Sequence, residues 1–430
     1  MRYFNNVSIL TKTLLGVFIA TWGVNIIYSN IDFSIENVGD PDGYFIAFDF
    51  YLSHDYSTTI TKGSSYLFNV ANHFFFKLCN DTKTAFFLTN LTSQLLVLLL
   101  GVLLLLRLNR KINFKFFYSV LSIYILNILS FKAFRYSNND IFQTVFFMLI
   151  VFSFFLVYFR EKKYYYLYFI IGILCGICTL IRPTSQIIIV VALFSVVLME
   201  FLKKKPILSY SKSLLFFLIP LFSIVVVCHY PSIKEKGKLG FYDKNFSSGA
   251  NWVQRNYLAT KKMQAGELPI HKNSIFRATP FSAVNQYLLK NGENSLPKNQ
   301  KEFLIKDPLL IVQLSVYNLG FLALKYFRFY GFLLIFPFLY LFTKPYLSLR
   351  KYPFYVFLFA MVLISTIVLT LMEFRWVIGY DILLCICILV SLKYFNTTSL
   401  KSKLPYILNG SLIIVSIFNI LLTFFIKSSY

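Results

Sequence analysis

Carboxylates are the scarce side chains of this sequence: 18 Asp and Glu stand against 42 Lys and Arg in 430 residues. An acidic residue at a polar break is therefore worth weighing. Histidine is scarcer still. The four, His54, His73, His229 and His271, show no metal-ligand spacing, and no ligand role is assigned to them. The six cysteines, Cys79, Cys175, Cys178, Cys228, Cys385 and Cys387, lie mostly inside apolar runs. Cys175-x-x-Cys178 has no acidic or His partner nearby, so it reads as packing rather than as a redox or metal pair. There is no Walker loop, dinucleotide fingerprint or Ser nucleophile elbow, which leaves nucleotide-driven transport without support. No internal repeat is visible.

What is abundant is apolar surface. Hydrophobic residues make up 57% of the chain, aromatics 19% and charged residues only 14%, and mean hydropathy is +0.65. This composition predicts an all-α polytopic membrane protein. The net charge of +24 is read as an orientation signal rather than a nucleic-acid footprint.

Apolar spans are expected at about 10–28, 84–106, 114–131, 141–159, 164–181, 187–202, 213–230, 326–342, 353–371, 376–392 and 405–426, about eleven in all. The first is too long for a signal-peptide core and reads as an uncleaved anchor. Short basic connections at 107–115, 160–163, 203–212, 344–351 and 393–403 fall on alternate loops, which puts them and the N-terminus on the cytoplasmic side. Three regions result: a transmembrane module 1–230 with an outer segment 29–83, an extracytoplasmic segment 231–325, and C-terminal helices 326–430. The middle region is expected to be a small helical cap, ending in an amphipathic stretch Ile305–Lys325 along the interface. The first outer segment is expected to carry interfacial helices, beginning with the aromatic run Tyr44–Leu52.

The polar residues on the outer face are the candidate site. Gly39-Asp40-Pro41-Asp42-Gly43-Tyr44-Phe45 sets two carboxylates two residues apart on a Pro/Gly-broken turn. Asp40 and Asp42 fit either a solvated turn or a general base with a supporting carboxylate. Lys62, before a Gly-Ser turn at a helix start, fits an anion site or a snorkelling side chain. Asp140, opening a span after Ser137-Asn138-Asn139, reads first as an N-cap. Arg182, followed by Pro183, ends one span just before another, and such an Arg is costly unless paired or functional. Glu373-Phe374-Arg375-Trp376 forms a second charged outer turn, whose charges can pair with each other or with a ligand. Asp381 lies farther into the next span and reads as an interior partner.

Taken in order, the acidic pair before Gly-Tyr, the acidic start of the fourth span, the span Gly172-x-x-x-Gly176 ending in Arg182-Pro183, and the turn Glu373-x-Arg375-aromatic resemble the integral-membrane GT-C glycosyltransferases. The bacterial members related to protein mannosyltransferases and to the lipid A aminoarabinose transferase are the group that these features resemble. The likeness covers the first six or seven spans and returns at Lys306-Asp307-Pro308 and 373–380. It implies a polyprenyl-phosphate sugar donor and a lipid, glycan or protein acceptor at the outer face of a bacterial plasma membrane, among membrane lipids and with no nucleic acid. It also implies Asp40 or Asp42 as base, Arg182, Arg375 and Lys62 on the donor phosphate, and Asp140, Glu373 and Tyr44 in support. No cofactor is required by it, and a divalent metal, Mg or Mn, is left open. Pro41 and Asp42 depart from the usual spacing of the acidic pair. Two other classes stand beside this one: a polysaccharide polymerase or ligase, which would carry its key charges in the large outer segment, and a lipid-linked-glycan transporter or flippase, which would show mid-span charges and repeat symmetry.

Overall fold

The computed structural model describes residues 9–29, 43–63, 65–112, 117–130, 138–160, 164–182, 184–240, 249–398 and 402–425. Among the described residues there are helices and turns and no strand. Helix α1 (Ile9–Ser29) is followed by three short helices, α2 (Tyr44–Ser53), α3 (Tyr56–Lys62) and α4 (Tyr66–Cys79). Next come α5 (Thr82–Ile112), α6 (Phe117–Ser130), α7 (Asp140–Phe159), α8 (Tyr165–Cys178), α9 (Ser185–Leu202) and α10 (Ile207–Lys236). Four short helices, α11 (Trp252–Gln264), α12 (Lys272–Phe276), α13 (Phe281–Asn291) and α14 (Gln300–Lys306), lead to α15 (Pro308–Tyr330) and α16 (Ile335–Leu341). The last three are α17 (Tyr352–Ile367), α18 (Asp381–Phe395) and α19 (Leu404–Phe425).

A helix satisfies its own backbone, which is why apolar runs of this length fold as helices in lipid. Among the described residues, seven helical segments are long and apolar enough to cross a membrane: Thr82–Arg110, Asp140–Phe159, Ser185–Leu202, Ile207–Lys236, Pro308–Leu341, Leu349–Ile367 and Ile378–Phe395. This is a helical membrane protein. Four further apolar helical stretches, Lys12–Thr21, Phe117–Leu129, Tyr165–Cys178 and Leu404–Phe418, stand at other expected spans.

Two details explain how the bundle packs. Gly172 and Gly176 lie where α8 meets α10: a Cβ on Gly172 would sit 2.2 Å from the Phe217 carbonyl oxygen, and one on Gly176 2.8 Å from Ile224. The missing side chains let two backbones approach closely. Elsewhere, Glu200 is fully buried and accepts hydrogen bonds from Tyr168 (2.8 Å), Ser209 (3.0 Å) and Tyr164 (3.2 Å). Three hydroxyls thus replace the water lost by this carboxylate and tie α8, α9 and α10 together.

The segment 249–306 folds as helices around its own apolar core, with Tyr257, Leu258, Val284 and Phe303 buried against Leu310, Ile311 and Leu314 of α15 and Leu369 and Leu371 beyond α17. Burying side chains of this size contributes about 1.5–3 kcal/mol each. Arg255 is stacked between Trp252 (4.5 Å) and Phe281 (4.4 Å).

One expectation changes here. Ile305–Lys325 is not set off from the following segment by a break at 326. Asp307 caps a helix with Pro308 in its first turn, and α15 then runs unbroken to Tyr330. Polar residues within it made the stretch look amphipathic, yet two of them are used internally: Gln313 accepts from Gln264 at 3.1 Å, and Asn318 is fully buried.

Candidate functional site

The site is built where α7 begins. Gly43 takes φ 80° just before α2, a left-handed conformation that glycine adopts without steric cost. The next residue, Tyr44, is buried and donates from its hydroxyl to Asn139 Oδ1 at 3.2 Å. Asn139 Nδ2 donates to Ser65 Oγ at 2.9 Å and to the Ile181 carbonyl at 2.8 Å. Ser65 Oγ donates to that same carbonyl at 2.5 Å, and the Leu67 amide donates to Leu180 at 3.2 Å. Three segments distant in sequence are thereby knotted around one asparagine. The knot fixes residues on either side of it, Asp140 and Arg182.

Asp140 corrects the N-cap reading. Asn139 holds the cap position and Asp140 is the first residue of α7. Its carboxylate is ion-paired with Arg182 and lies 3.3 Å from Arg375 Nη1. Arg375 Nε also donates to Glu373 at 2.5 Å, and Lys272, from the helical cap, reaches Glu373 at 3.5 Å. The chain of charges is continuous: Arg182, Asp140, Arg375, Glu373, Lys272. Among the described residues it brings three cations together with two carboxylates.

The turn that carries Glu373 and Arg375 is held by Asn318. Its Nδ2 donates to Thr370 O at 3.0 Å and Ser365 O at 3.3 Å, and its Oδ1 accepts from the Met372 amide at 2.9 Å. Leu369 is pinned there at φ 50°, a conformation that non-glycine residues rarely adopt and that surrounding structure must enforce. Farther in, Asp381 is buried and accepts from Tyr330 at 2.6 Å, an interior partner as expected. In the layer below the ion cluster, Thr184 donates to Gln143 at 2.9 Å.

A cavity of about 40 Å³ adjoins Asp140, Arg182 and Arg375, floored by Phe147, Ile188 and Tyr380. Ligand pockets usually measure about 300–1,000 Å³, so a sugar-sized molecule enters only if the ion-paired side chains part. In this conformation the carboxylates occupy the cations.

Of the residues singled out from sequence, Tyr44, Asp140, Arg182, Glu373 and Arg375 converge. Lys62 does not line the cavity; it is exposed at the end of α3, ahead of the left-handed Gly63. Asp40 and Asp42 lie outside the described residues. Among the described residues no group of three or more His, Cys, Asp or Glu could hold a metal ion. Asp140 and Glu373, each against a guanidinium, are poorly placed as ligands for Mg or Mn.

Sequence reasoning missed Asn139 and Asn318 as parts of this site. A lone amide inside an apolar run was the available signal for Asn318, because a buried amide needs partners.

The fold and the ion cluster define a helical membrane protein with a polar site at one end of its bundle. No protein-family model, curated protein or solved structure matches the chain.

Proposed function

We propose that the protein is a membrane glycosyltransferase, moving a sugar from a polyprenyl-phosphate donor to an acceptor hydroxyl at the outer face, through about eleven spans of GT-C type. The observation that carries this reading is the convergence of three cations, Arg182, Arg375 and Lys272, with Asp140 and Glu373 at one end of the bundle. A donor phosphodiester bears one negative charge, and guanidinium and ammonium groups are the side chains that bind phosphate most strongly.

In the reaction the acceptor oxygen attacks the anomeric carbon, and the bond from that carbon to the phosphate oxygen breaks. Its electron pair leaves with the polyprenyl phosphate, while the acceptor proton passes to Asp40 or Asp42. The phosphate gains charge as the bond breaks, so fixed cations bind the transition state more tightly than the donor. No strong acid is needed at the leaving group. Both aspartates lie within four residues of Tyr44, which is tied to Asn139, the neighbour of Asp140; this linkage supports placing the base beside the phosphate site. Asp140 and Glu373 hold the cations in position and give them up to the donor.

Membranes from cells making the wild-type protein, the Asp40→Asn, Asp42→Asn or Arg375→Gln variant, or no protein would be profiled by mass spectrometry. The expected result is a glycosylated product that vanishes without the protein and with one of the two aspartate variants, while the lipid-linked donor accumulates. A product unchanged in all variants would end the proposal.

A further inference from the structure

A cavity of about 360 Å³ is lined mainly by α7, α9, α17 and α18 rather than by the ion cluster. Phe147 and Ile188 line both it and the small cavity, and so stand between the two. Most of its wall is apolar, including Ile150, Phe154, Val191 and Ile386, but its far end is not: Arg350, Lys393 and Thr397 meet there with Tyr158 and Tyr394. Here α7 and α18 end and α17 begins, the end of the bundle with the short basic connections.

The basic residues at this end fall into two kinds. Lys351 donates to the carbonyls of Leu341 (3.0 Å) and Thr343, and Lys203 to those of Val157 (2.6 Å) and Arg160 (2.7 Å). Those charges are absorbed by helix ends. Arg350 and Lys393 instead line the cavity, and among the described residues neither has a carboxylate within ion-pair distance. The phenols of Tyr158 and Tyr340 lie close enough to Arg350 to feel its charge.

We propose that this cavity holds one acyl chain of an anionic phospholipid, with the phosphate on Arg350 and Lys393. The dimensions match: α7 between Phe147 and Phe159 rises about 18 Å at 1.5 Å per residue, and one leaflet of hydrocarbon is about 15 Å thick. A cationic mouth on the basic side of the bundle faces the leaflet in which anionic lipids attract Lys and Arg. The site is independent of the glycosyltransferase reading, since its cations lie at the opposite end of α7 from Asp140.

The test uses the purified full-length protein in detergent, with binding measured by native mass spectrometry for phosphatidylglycerol, phosphatidylcholine of the same chains, glycerol 1-phosphate and a polyprenyl monophosphate. Phosphatidylglycerol is expected to bind at least tenfold more tightly than phosphatidylcholine or glycerol 1-phosphate. Arg350→Gln/Lys393→Gln should remove that preference, and Lys272→Met should keep it. Ala192→Leu, which fills the cavity wall, should weaken phosphatidylglycerol without lowering the melting temperature. Equal binding of the two phospholipids, or phosphatidylglycerol binding unchanged in the double variant, would overturn the proposal. So would a polyprenyl phosphate held through Arg350 and Lys393 more tightly than phosphatidylglycerol.

Discussion

Arg375 Nη1 lies 3.3 Å from Asp140 Oδ2, joining the turn after α17 to the first residue of α7. The Asp140 side chain is only 3% exposed and also pairs with Arg182. Removing its charge leaves two guanidiniums facing each other with little water. Breaking a buried pair from one side costs about 3–5 kcal/mol. Asp140→Asn should therefore lower the melting temperature of the purified protein markedly, and Asp140→Asn/Arg182→Gln should recover part of the loss. A single variant as stable as wild type would mean that the pairing carries no stability.

Asn318 touches none of the charged residues, yet it holds the turn on which two of them ride. Asn318→Leu leaves the Met372 amide and the Thr370 carbonyl without this partner, a cost of about 1–3 kcal/mol for each buried group left unsatisfied. Transfer activity should fall further than stability alone explains, because Glu373 and Arg375 lose their placement. Activity and thermal melting compared in the same preparation check this; a variant that melts early but keeps full turnover would confine Asn318 to a structural role.

The class of the protein, and which turns carry charge, were legible from the sequence because burying Arg182 or Glu373 at the end of an apolar span is costly enough to be informative. What joins those turns was not. Asp140 and Asn139 are adjacent, and either could cap α7; in the fold Asn139 stands at the cap position but uses its side chain on Tyr44, Ser65 and Ile181, while Asp140 turns to the arginines. Lys272 was hidden among other basic residues of the 231–325 segment, since local sequence does not say which lysine the cap folds over Glu373. The start of α15 was misread for a related reason: a helix with Asn318 buried and Gln313 bonded to the cap has the same periodicity as one lying on a membrane surface.

Gly172 gives a prediction that depends on packing alone. A methyl group there meets the Phe217 carbonyl oxygen at 2.2 Å and the Pro220 ring at 2.8 Å, and backbone cannot turn aside as a flexible side chain can. Overpacking of this kind costs about 1–3 kcal/mol. Gly172→Ala should reduce the amount of folded protein recovered from membranes, and Gly172→Leu should reduce it more. Gly16, where an added Cβ would meet nothing within 4 Å, is the control expected to tolerate alanine.

Lys272 ties the cap to the site and gives the site a pH dependence. Burial lowers the pKa of its ammonium, and Glu373 opposes that shift. The charge is therefore lost at a lower pH than on an ordinary lysine. Below the lowered pKa Lys272 adds its positive charge to the cluster; as pH rises through it, that charge is lost and the affinity for an anion falls. Arginine does not titrate in this range, and a phosphate monoester, with its second pKa near 6, has already finished ionising. Wild-type affinity for a polyprenyl monophosphate should thus decline on the alkaline side, whereas Lys272→Met should bind several-fold more weakly at neutral pH and show a flat profile there. The ion pair is partly exposed, with side-chain exposures of 36% and 11%, and such pairs contribute about 0–1 kcal/mol, so melting should hardly change. Binding titrations of both proteins across that pH range decide the matter: if the wild type is as flat as Lys272→Met, the lysine is a strut between cap and bundle and the anion is held by Arg182 and Arg375 alone.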